Sequence, residues 1–220
     1  MPRIARAVAV GYPHHVTQRG NYRMPVFDDE DDYNRYLDWL KDYSVKYDTR
    51  IWAYCLMTNH VHFICVPDRP DSLAKTFNTL HMRYSQYYNR KKEARGHLWQ
   101  GRFFSCALDE EHLFAAVRYV ENNPVRAGIV RKARRYPWSS AAGHIEKGTD
   151  EVLSRGLHLE KKIKGWEDYL KDSDDESAIE TIRKSTLTGR PCGDDRFVEK
   201  IEGTIGRILK ALPRGRPKKK

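Results

Sequence analysis

RIWAYCLM (50–57), Thr58-Asn59 and HVHFICV (60–66) follow one another in the first third of the chain, and this stretch decides the fold. Two runs rich in β-branched and aromatic side chains, parted by two turn-forming residues, predict a β-hairpin. Upstream, HHVTQRG (14–20) puts His15 and Thr17 on one side and Val16 and Gln18 on the other, as in a short strand that ends at Gly20-Asn21. Between that strand and the hairpin, Tyr33, Tyr36, Leu37, Leu40, Tyr43 and Tyr47 recur at helical spacing, with acids in the first turn where the helix dipole favours them. Downstream, Leu73, Phe77, Leu80, Tyr84 and Tyr87 predict a second helix, HLWQGRFFSCAL (97–108) a fourth strand, and residues from about Glu110 to Asn122 a third helix. The order is βαββαβ with one helix added. It predicts an α+β, ferredoxin-like fold: a four-stranded antiparallel sheet backed by two helices on one face. Many functions use that scaffold, so function has to be read from the site.

A chain of 220 residues has room for one main domain and an appendage. We expect the domain over residues 1–145, a helical extension over 146–212 that packs on the core or binds DNA, and a disordered basic tail over 213–220. In the extension, DSDDES (172–177) reads as a solvated loop, and Phe197, Ile201, Ile205 and Ile208 predict a last helix from Asp194 to Leu212. No apolar run approaches the roughly 20 residues that cross a bilayer, and Met1 to Val10 lacks the pattern of a secretory signal. These features predict a cytoplasmic protein without a membrane partner. The cysteines at 55, 65, 106 and 192 form no CxxC pair and are expected to be small buried thiols.

The formal charge of +10 raises the expectation of a polyanionic partner. Its distribution is uneven. Residues 28–48 hold eight acids against three bases, whereas residues 81–105 hold six bases against Glu93, which suggests an acidic and a basic face.

His60 and His62 sit two apart on the predicted strand, so both imidazoles point to the same side at a spacing that suits one metal ion. Two surface histidines are the plainer alternative for an isolated HxH. On the third helix Tyr119 and Asn123 lie four residues apart, which places a phenol and a carboxamide on one face. Two imidazoles together with oxygen from Asn123, water and a phosphate would suit Mg²⁺ or Mn²⁺. Taken singly, Tyr119 could be a packed aromatic, and Asn123 a helix-ending residue before Pro124.

Four blocks of sequence, in order, carry a resemblance: PHHVTQRGN (13–21), AYCLMTNHVHFICVP (53–67), GHLWQGRFFSCALDEEHL (96–113), and RYVENNPVRAGIV (118–130) with YPWSSA (136–141). Through them the chain resembles the REP-associated tyrosine transposases, in the single-tyrosine branch of the HUH endonucleases. The resemblance spans about residues 3–145 and continues more loosely into TGRPCGDDRFVEKIEG (188–203). It implies that His60 and His62 bind the metal, that Asn123 completes the metal site, and that Tyr119 is the nucleophile on an added catalytic helix. The implied reaction cleaves and rejoins single-stranded, hairpin-forming DNA through a 5′-phosphotyrosine link, with Mg²⁺ or Mn²⁺ as cofactor. The protein is expected to act as a monomer, with a homodimer as the alternative. Candidate DNA contacts are Arg19, Asn21, Arg83 and Arg102, joined by Arg214 and Arg216 in a tail whose Gly215-Arg216-Pro217 resembles an AT-hook. Trp99, Phe103 and Phe104 could stack on bases, but alternate residues of the strand must build the core, to which these aromatics are assigned. Two rival readings are a non-catalytic nucleic-acid-binding module and a metal-dependent nuclease that activates water instead of Tyr119.

Overall fold

The computed structural model describes residues 6–146, 150–154, 158–172 and 175–210. Strands β1 (His14–Arg19), β2 (Thr49–Met57), β3 (His60–Pro67) and β4 (Phe104–Ala107) form one antiparallel sheet in the order β2-β3-β1-β4. This is the ferredoxin-like order. The hairpin turns at Thr58-Asn59 and pairs Met57 with His60, while β1 pairs Thr17 with His62 and His15 with Ile64.

Helices α1 (Glu30–Lys46) and α2 (Ser72–Lys91) cover one face of the sheet. Asp29 caps α1 by accepting from the backbone of Asp32, which accounts for the acids at its start. Val16, Tyr54, Leu56, Val61, Phe63 and Cys65 meet Tyr36, Leu40, Phe77, Leu80 and Tyr84 in this layer. The other face carries α3 (Glu110–Glu121) and, beside it, α8 (Glu176–Thr188), with Ala53, Cys55, Ile64 and Cys106 beneath them. The short helices α4 (Asn123–Arg126), α5 (Ala141–Glu146), α6 (His158–Lys162) and α7 (Trp166–Lys171) fill the chain between, and α9 (Asp195–Ile205) follows α8.

Both sheet edges are covered, which removes exposed pairing groups. At the β2 edge, Leu56 N–H donates to Trp138 O and Tyr136 Oη–H to Leu56 O. At the β4 edge, Cys192 N–H donates to Ala107 O. All four cysteines are buried free thiols, and among the described residues no helix is long and apolar enough to cross a membrane.

Several expectations differ from the structure. The fourth strand is only four residues long, because the backbone turns through Gly96 (φ 113°) and Gly101 (φ 155°) and residues 97–103 loop beside the end of β1. Asn21 N–H donates to Leu98 O and Gln18 Nε2–H to Gly101 O there. Arg102 therefore precedes the strand instead of lying on it. The charge runs meet at one end: Lys91 at the end of α2 pairs with Asp29 and Asp32, and Lys92 with Asp28, so the start of the acidic run neutralises part of the basic one. In DSDDES, Asp175 accepts from the backbone of Ser177 and Ala178 and caps α8, so a helix starts where a solvated loop was expected. The last helix stops at Ile205, ended by Gly206 at φ 68°. The tail residues Arg214 and Arg216 lie outside the described residues.

Candidate functional site

Strand period and sheet order bring histidines from two strands together. His62 on β3 and His15 on β1 point to the face covered by α3 and α8, and their rings stack with centroids 5.1 Å apart. His15 Nε2 lies 2.9 Å from His62 Nδ1, and His15 Nδ1 lies 2.8 Å from Thr186 Oγ1 on α8. His60 meets His62 edge-on at 5.0 Å. Tyr119, on α3, stands edge-on to both His62 and His15, at 5.5 and 6.2 Å.

Arg183 of α8 reaches Tyr119 from the other side. Its Nε–H donates to Tyr119 Oη at 3.5 Å, and its guanidinium stands 5.2 Å from the ring centroid, with that of Arg126 at 5.3 Å. A cavity of about 220 Å³ opens here, lined by His15, His62, Tyr119 and Arg183 together with Arg19 and Phe104. Two cations beside a phenol at a concave surface suit an anionic group such as a phosphodiester.

Burial keeps the three histidine rings in the neutral form. Burial pushes His60 and His15 down to about 4, and His62 is held well below the ordinary value by burial and then by the neighbouring His15. Asn59 fixes the orientation of His60: its Nδ2–H donates to Arg23 O, so its Oδ1 must accept from His60 Nδ1–H at 2.6 Å. The lone pair of His60 is thereby left on Nε2. His62 is likewise engaged through Nδ1, and among the described residues neither Nε2 has a hydrogen-bond partner. Two neutral imidazoles with open Nε2 atoms fit a divalent ion whose other positions are taken by oxygen. Among the described residues no group of three or more His, Cys, Asp or Glu side chains is arranged around one metal position. A divalent ion held by these two imidazoles would need a carboxamide, water or substrate oxygen to complete its coordination.

Other residues singled out by the sequence fall differently. Asn123 does not continue the helix of Tyr119: α3 ends at Glu121, and Asn123 opens α4 with Pro124 in the first turn, where a missing N–H costs nothing. Its Nδ2 is buried and has no hydrogen-bond partner among the described residues. Asn21 and Arg102 line a neighbouring groove with Trp99 and Gln100, and Gln100 also contributes to the histidine cavity's surroundings. Arg83 is not brought to the site. It sits on α2, on the opposite face of the sheet, bonded to Tyr43 Oη and 4.5 Å over Trp39. Trp99 and Phe103 are core residues, as expected, but Phe104, expected with them, is half-buried on the opposite side of the strand and lines the cavity. The sequence reading missed His15, Arg183 and Thr186. His15 was legible, since β1 pairs with β3 in a ferredoxin-like order. The α8 residues carried no signal of their own.

A four-stranded sheet with paired histidines on one strand, facing a tyrosine on the helix that follows the last strand, defines a class of site suited to transfer of a phosphodiester. The chain belongs to the family described as "Transposase IS200 like", whose model matches residues 9–123, more than half of its length. A relative from Haemophilus influenzae, named "Putative REP-associated tyrosine transposase", is 26% identical over 99 residues, covering 40% of this chain and 56% of the relative. The chain thus spans little more than half the length of that curated relative. Among solved structures, a REP-associated tyrosine transposase bound to a REP hairpin shares the fold, with a TM-score of 0.54 at 19% identity over 71% of this chain and 93% of that one.

Proposed function

We propose that this protein is a metal-dependent DNA strand transferase that cleaves and rejoins single-stranded, hairpin-forming DNA, with Tyr119 as nucleophile. The observation that carries the reading is the placement of Tyr119 against His62 and Arg183 in one cavity. The hairpin substrate is suggested by the solved relative, whose title names a REP hairpin.

Tyr119 Oη would attack the scissile phosphorus in line with the departing 3′ oxygen. The bond formed is a 5′-phosphotyrosine ester and the bond broken is P–O3′. The proton given up by the phenol is balanced by the one the 3′ oxygen takes up. One phosphodiester replaces another, so resealing needs no nucleotide triphosphate. A phenol is largely protonated at neutral pH and needs help. Arg183, bonded to the hydroxyl, would orient it for attack, while Arg19 at the cavity wall would hold the phosphate. His60 and His62, with Asn123 as the carboxamide, would hold Mg²⁺ or Mn²⁺, which when bound polarises the phosphate and neutralises charge on its equatorial oxygens. Nucleophile and histidines come from one chain, so a monomer suffices. The walls are sheet and helix, and the cavity admits a displaced or looped strand far better than a stacked duplex. Asn21 and Arg102 in the adjoining groove are placed to follow such a strand.

The test is denaturing electrophoresis of the protein with 5′-labelled and 3′-labelled single-stranded hairpin DNA in Mn²⁺. The expected result is a covalent adduct, formed by wild type, abolished by chelator and absent in Tyr119→Phe, with hairpin binding retained in the variant. Tyr84, Tyr87 and Tyr88 are poor substitutes. Each hydroxyl is bonded on the α1/α2 side, to Val26 O, Asp32 Oδ1 and Pro25 O. An undiminished adduct in Tyr119→Phe overturns the assignment, and cleavage without any adduct points to water as nucleophile.

A further inference from the structure

Helix α8 lies outside the span matched by the family model, yet it touches both halves of the proposed centre. Arg183 meets the tyrosine, and Thr186, one helical turn on, meets the histidines through His15. The hydrogen bonds of Thr186 have a direction that can be worked out. A threonine hydroxyl has one proton, and here it goes to Ile182 O, four residues back, at 2.7 Å. Towards its other neighbours Thr186 Oγ1 can only accept. Those neighbours are Cys106 Sγ at 3.2 Å and His15 Nδ1 at 2.8 Å. His15 must therefore carry its proton on Nδ1.

The remaining steps follow from counting protons. His15 is buried, with no carboxylate hydrogen-bonded to it among the described residues, so its ring is neutral and has a single N–H. With that proton on Nδ1, Nε2 is bare and can only accept. The atom it faces at 2.9 Å is His62 Nδ1, which must then donate. His62 is fixed with its proton on Nδ1 and its lone pair on Nε2. We infer that Thr186 is a positioning residue which sets the tautomer of His62 through His15 and so aims the His62 Nε2 lone pair at the metal position. The tautomer itself is independent of the proposed function. Only its consequence for metal binding rests on that reading.

The inference places part of the site's specification in a helix that carries no metal ligand. Partners that fix the tautomer of a ligating histidine typically change metal affinity by about 10- to 100-fold when removed. Thr186→Val keeps the shape of the side chain and removes the acceptor. His15 is then free to protonate on Nε2, which makes His62 Nδ1 an acceptor and moves the His62 proton to Nε2, the atom the metal requires.

The test is long-range ¹H–¹⁵N correlation of the histidine rings in the full chain at pH 7.5, stripped of metal, with His62 assigned by its loss in His62→Gln. The expected result is the Nδ1–H form for both His15 and His62 in wild type and in Thr186→Ser, and the Nε2–H form of His62 in Thr186→Val. Titration with Mn²⁺ should show about tenfold or greater weakening in Thr186→Val, with Thr186→Ser close to wild type. His62 protonated on Nε2 in wild type overturns the inference outright, and needs no variant to fold. An unchanged Nδ1–H tautomer in Thr186→Val also overturns it. Failure of the covalent-adduct assay leaves these spectra untouched, so the two readings fall separately.

Discussion

Replacing His81 by glutamine removes one titratable ring from the layer between α1 and α2 and should flatten the acid side of the stability curve. His81 is buried and faces Tyr36 of α1, Phe77 on its own helix, and Trp99 and Phe103 from the segment before β4. Its Nε2 is bonded to Tyr36 Oη at 2.9 Å. Burial pushes it from the ordinary 6.5 to about 3. A depressed histidine value means that the unfolded chain binds the proton first, so stability is intact above pH 6.5 and falls as the pH drops from 6.5 towards 3. Linkage with those two values gives a loss of roughly 2 kcal/mol between pH 7.5 and 5.0, and roughly 4 kcal/mol by pH 3. Glutamine can keep a hydrogen bond to Tyr36 and does not titrate. Its packing defect adds a constant offset at every pH and leaves the slope as the readout. Urea unfolding of wild type and His81→Gln at pH 7.5 and 5.0 measures it. The expected result is that wild type loses roughly 2 kcal/mol more than the variant over this interval. Equal losses in the two proteins would refute the argument and show that His81 is protonated, or the region open, in the folded state.

Glu121 is fully buried two residues after Tyr119 and accepts from Ser140 Oγ–H, His144 Nδ1 and Trp166 Nε1–H. Glu121→Ala takes the acceptor from His144 Nδ1 and Trp166 Nε1–H, while Ser140 Oγ–H can still turn to Tyr54 O, so we expect a loss of roughly 2–5 kcal/mol in urea unfolding, and a loss under about 1 kcal/mol would contradict the network's role. Arg183→Ala should slow formation of the Tyr119 adduct about tenfold or more by releasing the hydroxyl, with Mn²⁺ affinity unchanged. Equal single-turnover rates in wild type and Arg183→Ala would show that the contact positions nothing.

The fold was legible because its signals are local and agree with one another. The Thr58-Asn59 turn fixes the hairpin register, and that register puts His60 and His62 on one face without further information. The helical spacing of Tyr33, Tyr36, Leu40 and Tyr43, with acids before it, marks a helix that the structure places at Glu30–Lys46, capped by Asp29. The fourth strand was overread for an equally local reason. Trp99 and Phe103 share a parity with Phe104 opposite, as strand residues would, but two glycines with positive φ turn the backbone, and a glycine's φ is not visible in its neighbours.

The site was legible only to the depth at which one element explains itself. Tyr119, His60 and His62 each advertise their chemistry by residue type and spacing, and the fold brings them together. Thr186 and Arg183 do not, because a threonine and an arginine on a polar helix are unremarkable until that helix is laid across a particular pair of strands. Their importance depends on a contact 171 residues long in sequence, from His15 to Thr186, and on one 64 residues long, from Tyr119 to Arg183. No local pattern can specify partners at that range. In the proposed reaction the work would divide accordingly: the sheet and α3 would supply groups that must be of one chemical type, while α8 would supply groups that need only donate or accept at the right place. The second requirement is looser in sequence, since serine can replace threonine as an acceptor, and it is equally strict in geometry. Thr186→Ser and Thr186→Val separate the two demands, because both variants leave every residue of the proposed reaction in place and differ in whether an oxygen stands 2.8 Å from His15 Nδ1.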